Sequence, residues 1–217
     1  MNVFTAMADR QSARAYLPKP VSRADIEDLL KHAAMAPSAI NLQPWEYVIV
    51  YGEEKDRLVQ HLKRAHAERN VSCGPGTENP LPEIYKARSR SASQAMAPKV
   101  AEMGLEFNRF VEEGSCSFYG APIAIIVAID RLFPKIRYLD VGLSISYLLL
   151  AAQAKGLATC PIGLITAYGD QIAEILDIPD NKEIVLGIAL GYADNQSPIN
   201  SFKTDRENLD AFRSWYE

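Results

Sequence analysis

The chain has 217 residues, of which 48% are hydrophobic and 23% are charged, and its formal net charge is −4. This length and apolar content suit one sizeable core, and the charge balance is not typical of a nucleic-acid-binding protein. Cys73, Cys116 and Cys160 stand far apart without a C-x-x-C pair. This spacing argues against a disulfide framework or a zinc site. With no signal-peptide pattern and no run long enough to cross a bilayer, we expect a cytoplasmic protein.

Hydrophobic periodicity predicts the elements of the first third of the chain. In the stretch "SRADIEDLLKHAAMA", Ser22 can cap a helix whose apolar residues recur at helical spacing. The stretch "VSCGPGTENPLP" holds two glycines and three prolines, which is typical of a loop. The expected elements are helices at 2–9, 22–36 and 54–69, a strand at 46–51 and a loop at 71–82.

The remaining sequence predicts a compact α+β arrangement. Residues 83–97 are polar and weakly patterned, and Pro98 is expected at the first position of a helix that follows it. Gly156 is expected just beyond the end of a long, apolar helix. The other expected elements are helices at 138–156 and 168–176 and strands at 121–129, about 157–160 and 183–192. We expect one domain over residues 1–217, with a mixed, mainly antiparallel sheet flanked by helices.

The sequence lacks the usual motifs of hydrolytic and metal catalysis. It contains no H-E-x-x-H, G-x-S-x-G, P-loop or G-x-G-x-x-G pattern. His32, His61 and His66 all fall on helix faces that we expect to be exposed. Without a nucleophile–base pair or a metal cluster, an enzyme of this kind would depend on a cofactor for its chemistry.

The first candidate binding stretch is "DRQSAR" at residues 9–14. Arg10, Ser12 and Arg14 occupy alternate positions, so in an extended segment their side chains share one face. Two guanidinium groups beside a hydroxyl suit a phosphate monoester. The alternative is a helix end followed by a strand with surface arginines.

The second candidate is the loop "APSAINLQPWEY", which carries more polar and rigid residues than a plain connector needs. Pro44 is expected to force Gln43 into an extended conformation. Ser38, Asn41 and Gln43 are neutral donors and acceptors suited to the edge of a planar heterocycle, while Pro44 and Trp45 would hold the loop on the core. The alternative is a cap rich in Asn and Ser with a packed tryptophan.

The third candidate is "TCPIGL" at residues 159–164. Gly163 lets the backbone approach a ligand closely and aim its N–H groups at it, although a simple strand-to-helix turn would also explain the pattern. Cys160 is interpreted as a small buried residue rather than a reactive thiol. Phe118 and Tyr119 precede a strand and either stack on an aromatic substrate or belong to the core.

Taken in order, these stretches resemble the FMN-dependent nitroreductase family over nearly the whole chain. The R-x-S-x-R pattern matches at residues 10–14, and P-S-x-x-N-x-Q-P-W matches in full at residues 37–45. A P-x-G pattern follows the long apolar helix, and a basic residue, Arg206, follows the "LGYAD" strand. Each motif is weak alone, but the ordered set is specific.

The resemblance implies an intertwined homodimer with an FMN site shared between subunits, and the aromatic residues of the tail 193–217 predict an arm that packs on the partner. It assigns three groups of residues to the cofactor. Arg10, Gln11 (through its backbone), Ser12, Arg14, Lys203 and Arg206 hold the phosphate end; Pro37, Ser38, Ala39 and Asn41 reach the flavin of the neighbouring subunit; and Pro161, Ile162, Gly163 and Leu164 lie along the isoalloxazine, with a backbone N–H of Ile162 or Gly163 facing N5.

The same resemblance implies an NAD(P)H-dependent oxidoreductase that passes electrons through FMN to a nitroaromatic, a quinone or a similar acceptor. Residues 71–115 are expected to cover the substrate side of the flavin. Glu83, Tyr85 and Lys86 lie near the region where dehalogenating relatives grip their substrate, but their spacing is too tight to match. The alternatives are a specialised dehalogenase or dehydrogenase and a non-catalytic flavin-binding protein.

Overall fold

The computed structural model describes residues 1–74 and 79–217. Residues 75–78 of the predicted loop 71–82 therefore lie outside the described residues. Within the described part, a central antiparallel sheet is flanked by helices on both faces, which confirms the α+β prediction. No described helix combines the length and the apolar character that crossing a membrane requires.

The sheet has four strands in the order β1-β2-β4-β3. All its strand pairs are antiparallel, so the prediction of a mixed sheet is wrong for the described strands. The parallel pairing that the structure does contain is an isolated bridge between Ser12 and Thr159. The strands are β1 (Trp45–Tyr51), β2 (Ile123–Asp130), β3 (Ala158–Ile162) and β4 (Lys182–Gly191).

Two hydrophobic clusters cover the two faces of the sheet. Along β2 consecutive residues point to opposite faces, so Ala124 and Ile126 join one cluster while Ile123 and Ile125 join the other. Both faces are buried, which explains why the β2 sequence is continuously apolar instead of alternating with polar residues.

Seven α-helices surround the sheet in the described residues. In the second of them, Ser22 caps the first turn by accepting a hydrogen bond from the Asp25 N–H at 3.0 Å. Ile26, Leu29 and Ala33 of that helix are buried on one face. The helices are α1 (Val3–Asp9), α2 (Arg23–Ala34), α3 (Gly52–Arg69), α4 (Glu83–Glu102), α5 (Phe107–Cys116), α6 (Tyr138–Ala154) and α7 (Gly169–Ile175).

The helix boundary predicted at Pro98 is wrong, although a helix does follow in the predicted region. The stretch 83–97 is helical, and Pro98 lies inside α4 instead of opening a new helix. The break comes at Gly104, whose φ of +71° favours glycine, and Glu106 then caps α5 by accepting the Asn108 and Arg109 N–H groups at 3.0 and 2.6 Å. An interior proline costs a helix about 3 kcal/mol, which the packing of Met96 and Val100 offsets.

Within this chain, helix α6 is buried along one side only. Val141, Ile145 and Leu148 face the core, whereas a second stripe of this helix remains exposed. Gly156, with φ of +74°, follows the helix end as predicted. The exposed stripe consists of Leu139, Leu143 and Tyr147, with side chains 64%, 43% and 42% exposed.

Candidate functional site

The R-x-S-x-R segment lies against the free edge of β3. Ser12 forms a parallel β-bridge with Thr159, and the Ala13 N–H donates to the Thr159 carbonyl at 3.0 Å. Ala13 and Thr159 are buried at this junction. The chain leaves β3 at Ile162 and continues into Gly163. The segment 10–14, called the arginine segment below, therefore lies beside the same edge strand that leads into residues 161–164.

A cavity of about 450 Å³ opens beside this segment. Its wall contains all six residues predicted for the phosphate end of the cofactor. Among the described lining residues there are four cationic side chains and one carboxylate, that of Asp9, so the cavity is electropositive and suits an anion. The six predicted residues in the wall are Arg10, Gln11, Ser12, Arg14, Lys203 and Arg206.

Arg14 is held between two aromatic rings. Its guanidinium carbon lies 5.8 Å from the ring centroid of Tyr119 and 5.6 Å from that of Phe202, within the range of cation–π attraction. The Tyr119 ring packs so closely on α5 that a Cβ at Gly114 would come within 2.4 Å of it. Phe118 is fully buried in the core, so the core interpretation is confirmed for this residue.

Asn200 joins the arginine segment to the C-terminal segment. Its side-chain oxygen accepts the Arg14 N–H at 2.8 Å, and its amide group donates to the Ala15 and Asp194 carbonyls at 2.8 and 2.9 Å. A buried amide with several satisfied hydrogen bonds fixes its neighbours firmly. Asn200 was not predicted as a site residue, because it belongs to none of the family's sequence patterns.

The Gln11 side chain, for which only a backbone role was expected, makes a contact at this junction. Its amide group donates to the Asn200 carbonyl at 2.8 Å. Its side-chain oxygen is buried and has no hydrogen-bond partner among the described residues. Buried acceptors are rarely left unpaired, so this oxygen marks a place where a donor from outside the chain would be stabilising.

The strip from Pro161 to Leu164 has an open glycine in its middle. Gly163 has φ of −76° and ψ of −33°, angles that any residue adopts, and a Cβ added there would meet no atom of the chain within 4 Å. Neither the backbone conformation nor the packing of this chain therefore demands glycine at this position. Ile162 is buried, and the Gly163 carbonyl accepts hydrogen bonds from Thr166.

Cys160 precedes this strip and is buried. Burial raises the pKa of its thiol above the ordinary value, although the nearby Arg14, Ser12 and Arg10 lower it in part. The thiol is therefore protonated at neutral pH and is a poor nucleophile. This agrees with its interpretation as a small buried residue.

His66 is buried, so the prediction of an exposed position is wrong for this histidine. Its ring forms a 2.8 Å hydrogen bond with the Tyr168 hydroxyl, and its other nitrogen lies 3.8 Å from the Glu112 carboxylate. Such a partner satisfies a polar ring inside the core. His66 links α3, α5 and the turn after Gly163 without facing the cavity described above.

The loop at residues 37–43 lies between α2 and β1, away from the cavity of its own chain. None of Pro37, Ser38, Ala39 and Asn41 is among the described lining residues. Pro44 is buried and Trp45 packs against the second cluster, so these two residues hold the loop on the core as predicted.

The conformation of Gln43 differs from its prediction. Its φ is +48° instead of extended, because its N–H donates to the Ser38 hydroxyl at 3.0 Å. Ile40 and Asn41 also have positive φ values, of 43° and 59°. Three such residues within four positions are uncommon, and strained backbone of this kind is concentrated at functional sites.

One wall of the cavity comes from α4, which lies within the region 71–115 expected to cover the flavin, although none of its wall residues was predicted individually. The residues concerned recur at helical spacing of three and four, the signal that could have identified them once a helix was assigned there. Ser89 and Ser93 offer hydroxyl groups to a ligand. The α4 residues in the wall are Ser89, Ala92, Ser93 and Met96.

Comparisons with known proteins identify the family of this chain. The model of the nitroreductase family matches residues 7–192. The chain is 32% identical to a 4-nitrobenzoate reductase of Pseudomonas putida, covering 95% of this chain and 92% of that one.

Two solved structures share the fold at 26% identity over the full length of both chains. One is the FMN and NADPH-dependent nitroreductase NfnB from Sphigopyxis sp. strain HMH, with a TM-score of 0.89. The other is the FMN-dependent nitroreductase NfnB from Mycobacterium smegmatis in complex with NADPH, with a TM-score of 0.88. The chain described here belongs to the nitroreductase family.

Proposed function

We propose that this protein is an NAD(P)H-dependent FMN oxidoreductase that reduces nitroaromatic compounds or similar electron-poor acceptors. The observation that carries the proposal is the cluster of four cationic side chains that lines one cavity beside the edge of β3. Gly163 follows this strand and leaves open space where a side chain would stand, although it is not among the described residues that line the cavity. The solved relatives are FMN-dependent, and one of them was crystallised with NADPH. The reductase from Pseudomonas putida points to a nitroaromatic acceptor.

The chemistry of the cavity fits FMN. Arg10, Lys203 and Arg206 offer the charge-assisted hydrogen bonds that a phosphate dianion requires. The unpaired oxygen of Gln11 could accept a hydrogen bond from a ribityl hydroxyl. The open space at Gly163 suits the close approach of a flat ring system to the backbone.

The chain's own residues would bind, orient and shield the cofactor. Bound FMN would supply hydride transfer, oxidising NAD(P)H in one half-reaction and reducing the acceptor in the other. The strip Pro161–Leu164 would hold the plane of the flavin ring beside the end of β3. The raised pKa of the Cys160 thiol keeps a negative charge away from this strip. The proposal assigns no side chain as general acid or base.

We propose that the protein acts as a homodimer. Phe4 and Met7 on α1 are 79% and 56% exposed, and α1 packs against α6, whose stripe of Leu139, Leu143 and Tyr147 is also exposed. A contiguous apolar surface of this kind marks an interface, and a second copy is the commonest partner for it.

Two further segments support a partner subunit. Residues 203–217 are all exposed, although they include Phe212, Trp215 and Tyr216, which are 68%, 76% and 96% exposed. Ile40, at the strained tip of the loop 37–43, is 90% exposed. The proposal places this tip near the neighbouring subunit's flavin and the aromatic end of the chain, from Phe212 to Tyr216, on the neighbouring subunit's surface.

An anaerobic two-step experiment tests the function. Protein loaded with FMN should lose its yellow absorbance within seconds of adding NADH or NADPH, and a nitroaromatic acceptor such as 4-nitrobenzoate should restore it. Bleaching that only a halogenated substrate reverses would support the dehalogenase alternative. A flavin that NAD(P)H does not bleach would support a non-catalytic flavin-binding protein and refute the proposal.

A further inference from the structure

We propose that Arg88 and Glu207 form a clamp that closes the cavity wall and slows the loss of the cofactor. The Arg88 Nε lies 2.8 Å from the Glu207 carboxylate, which joins α4 to the C-terminal segment. Each partner of this pair is adjacent in sequence to a cavity residue, Ser89 on α4 and Arg206 on the C-terminal segment. The inference rests on the proposed binding of FMN.

The clamp is placed where α4 has little other support. The second half of α4 is anchored, because Met96 and Val100 pack with Ile199 and Phe202. In the first half, residues 83–91 are exposed except for the half-buried Arg88. A helix end with few buried contacts opens readily, so the ion pair to the C-terminal segment is the contact best placed to hold this end against the cavity.

Both partners are prepared for the interaction. The Arg88 guanidinium lies over the Tyr85 ring, 5.5 Å from its centroid, which restricts the arginine to fewer conformations. Glu207 is engaged by Arg88, while the Arg206 guanidinium donates to Thr204 and Asp205. The clamp therefore also keeps the Glu207 carboxylate from pairing with Arg206, whose charge stays available for a phosphate.

The test uses variants with the same net charge. In R88Q/E207Q the ion pair is removed, and in R88E/E207R its direction is reversed. The control is E83Q/R90Q, which removes the ion pair between Glu83 and Arg90 within α4 and touches no other element. FMN dissociation is followed by flavin fluorescence after dilution, with an excess of an FMN-capturing apoprotein to prevent rebinding.

We expect FMN to leave R88Q/E207Q about two- to fivefold faster, the range for a half-exposed ion pair. The reversed pair should restore the rate to within about twofold of the original, and the control should leave it unchanged. The clamp proposal would be overturned if FMN left R88Q/E207Q at the same rate as the unsubstituted protein, or if the control showed an equal increase in that rate.

Amide hydrogen exchange in the apoprotein gives a second, independent test. Residues 83–91 should exchange faster in R88Q/E207Q than in the original protein, and residues 96–102 should not change. Unchanged exchange at residues 83–91 would also overturn the clamp. A protein that never retains FMN would refute the proposed function instead, and the exchange measurement would still decide whether the clamp exists.

Discussion

Ser12 pairs with Thr159 in a parallel β-bridge, and this contact determines where the arginine segment lies. Ser12 and Thr159 are nearly 150 positions apart in sequence. The burial of Ala13 and the hydrogen bond from the Arg14 N–H to the Asn200 side chain help to stabilise this long-range contact. Arg10, two positions before the bridge, lines the same cavity as Arg206. Two basic segments from the two ends of the chain thus line one cavity, the proposed phosphate site.

The first prediction concerns this anion site. Arg10→Ala or Arg206→Ala should each remove about 1.5–3 kcal/mol of charge-assisted hydrogen bonding to a phosphate. FMN binding should weaken about ten- to a hundredfold, whereas riboflavin, which has no phosphate, should bind nearly as before. Titration of the apoprotein with both ligands, followed by flavin fluorescence, measures the difference.

Arg23→Ala is the matched control, since the Arg23 side chain is 86% exposed and pairs only with Glu27 among the contacts described here. It should leave the affinity for both ligands unchanged. Equal losses of FMN and riboflavin affinity in the Arg10 and Arg206 variants would show that these residues act through folding rather than through the phosphate.

The second prediction asks whether glycine at position 163 serves the binding of the cofactor or the stability of the fold. Gly163→Ala should not destabilise the apoprotein, because the backbone angles suit alanine and the new Cβ meets no atom. Replacing glycine at a compatible position raises stability by about 0.4–1 kcal/mol. FMN binding should nevertheless weaken about tenfold or more, since the methyl group would occupy the space proposed for the ring.

Gly169→Ala provides the comparison for this variant. Gly169 also has helical angles, and a Cβ there would make only ordinary contacts with Ile184. Thermal unfolding should show a similar small stabilisation in both variants, while only the Gly163 variant loses flavin. Unaltered FMN affinity in Gly163→Ala would contradict the placement of the ring against this strip.

How much the sequence could predict depended on how local each feature is. The Ser22 cap of α2 and the turn at Gly156 follow from neighbouring residues, and both were predicted. Helix α4 was missed because residues 83–97 are weakly patterned and Pro98 is typical of the first position of a helix. The packing of Met96 and Val100 on the C-terminal segment instead places Pro98 inside the helix.

The predictions that were wrong concern features that depend on residues distant in sequence or on single side-chain hydrogen bonds. His66 lies on a helix whose composition is polar, and its burial follows from the hydroxyl of Tyr168, about a hundred residues away. The conformation of Gln43 follows from one hydrogen bond to Ser38, which opposes the preference of a residue before proline. Predicting the cavity wall on α4 required the helix itself to be assigned first.

The third prediction concerns the three thiols. Cys73 is exposed, while Cys116 and Cys160 are buried, and burial raises the pKa of Cys116 to about 12. Burial, and then the Glu112 carboxylate, also raise the pKa of Cys73 above its usual range. In native protein at pH 8, a thiol reagent should therefore label Cys73 first, and its rate should still increase above pH 9 because thiolate continues to form.

Mass spectrometry of the labelled peptides checks this prediction, with protein unfolded in guanidinium as the reference in which all three thiols react. The variant Cys73→Ser should be nearly inert in the native state. Fast labelling of Cys160 at neutral pH would contradict its protonated, buried state and would give this thiol a role that the proposed function does not include.

The last prediction concerns the sharing of the flavin site between subunits. One subunit carries Ser38→Glu and Asn41→Asp, which place negative charge on the loop proposed to reach the neighbouring flavin. The other carries Arg10→Ala and Arg206→Ala, which weaken phosphate binding in its own cavity. If the loop acts on the neighbouring subunit, both lesions fall on one composite site of the heterodimer, and the other site combines only intact residues.

The heterodimers are purified with two different affinity tags. They should bind about one FMN per dimer at limiting FMN and regain roughly half of the original NAD(P)H oxidation rate per dimer. Both parent homodimers should stay largely empty. If each loop served its own subunit, every site would carry a lesion, and heterodimers that bind no more FMN than their parents would refute the shared site.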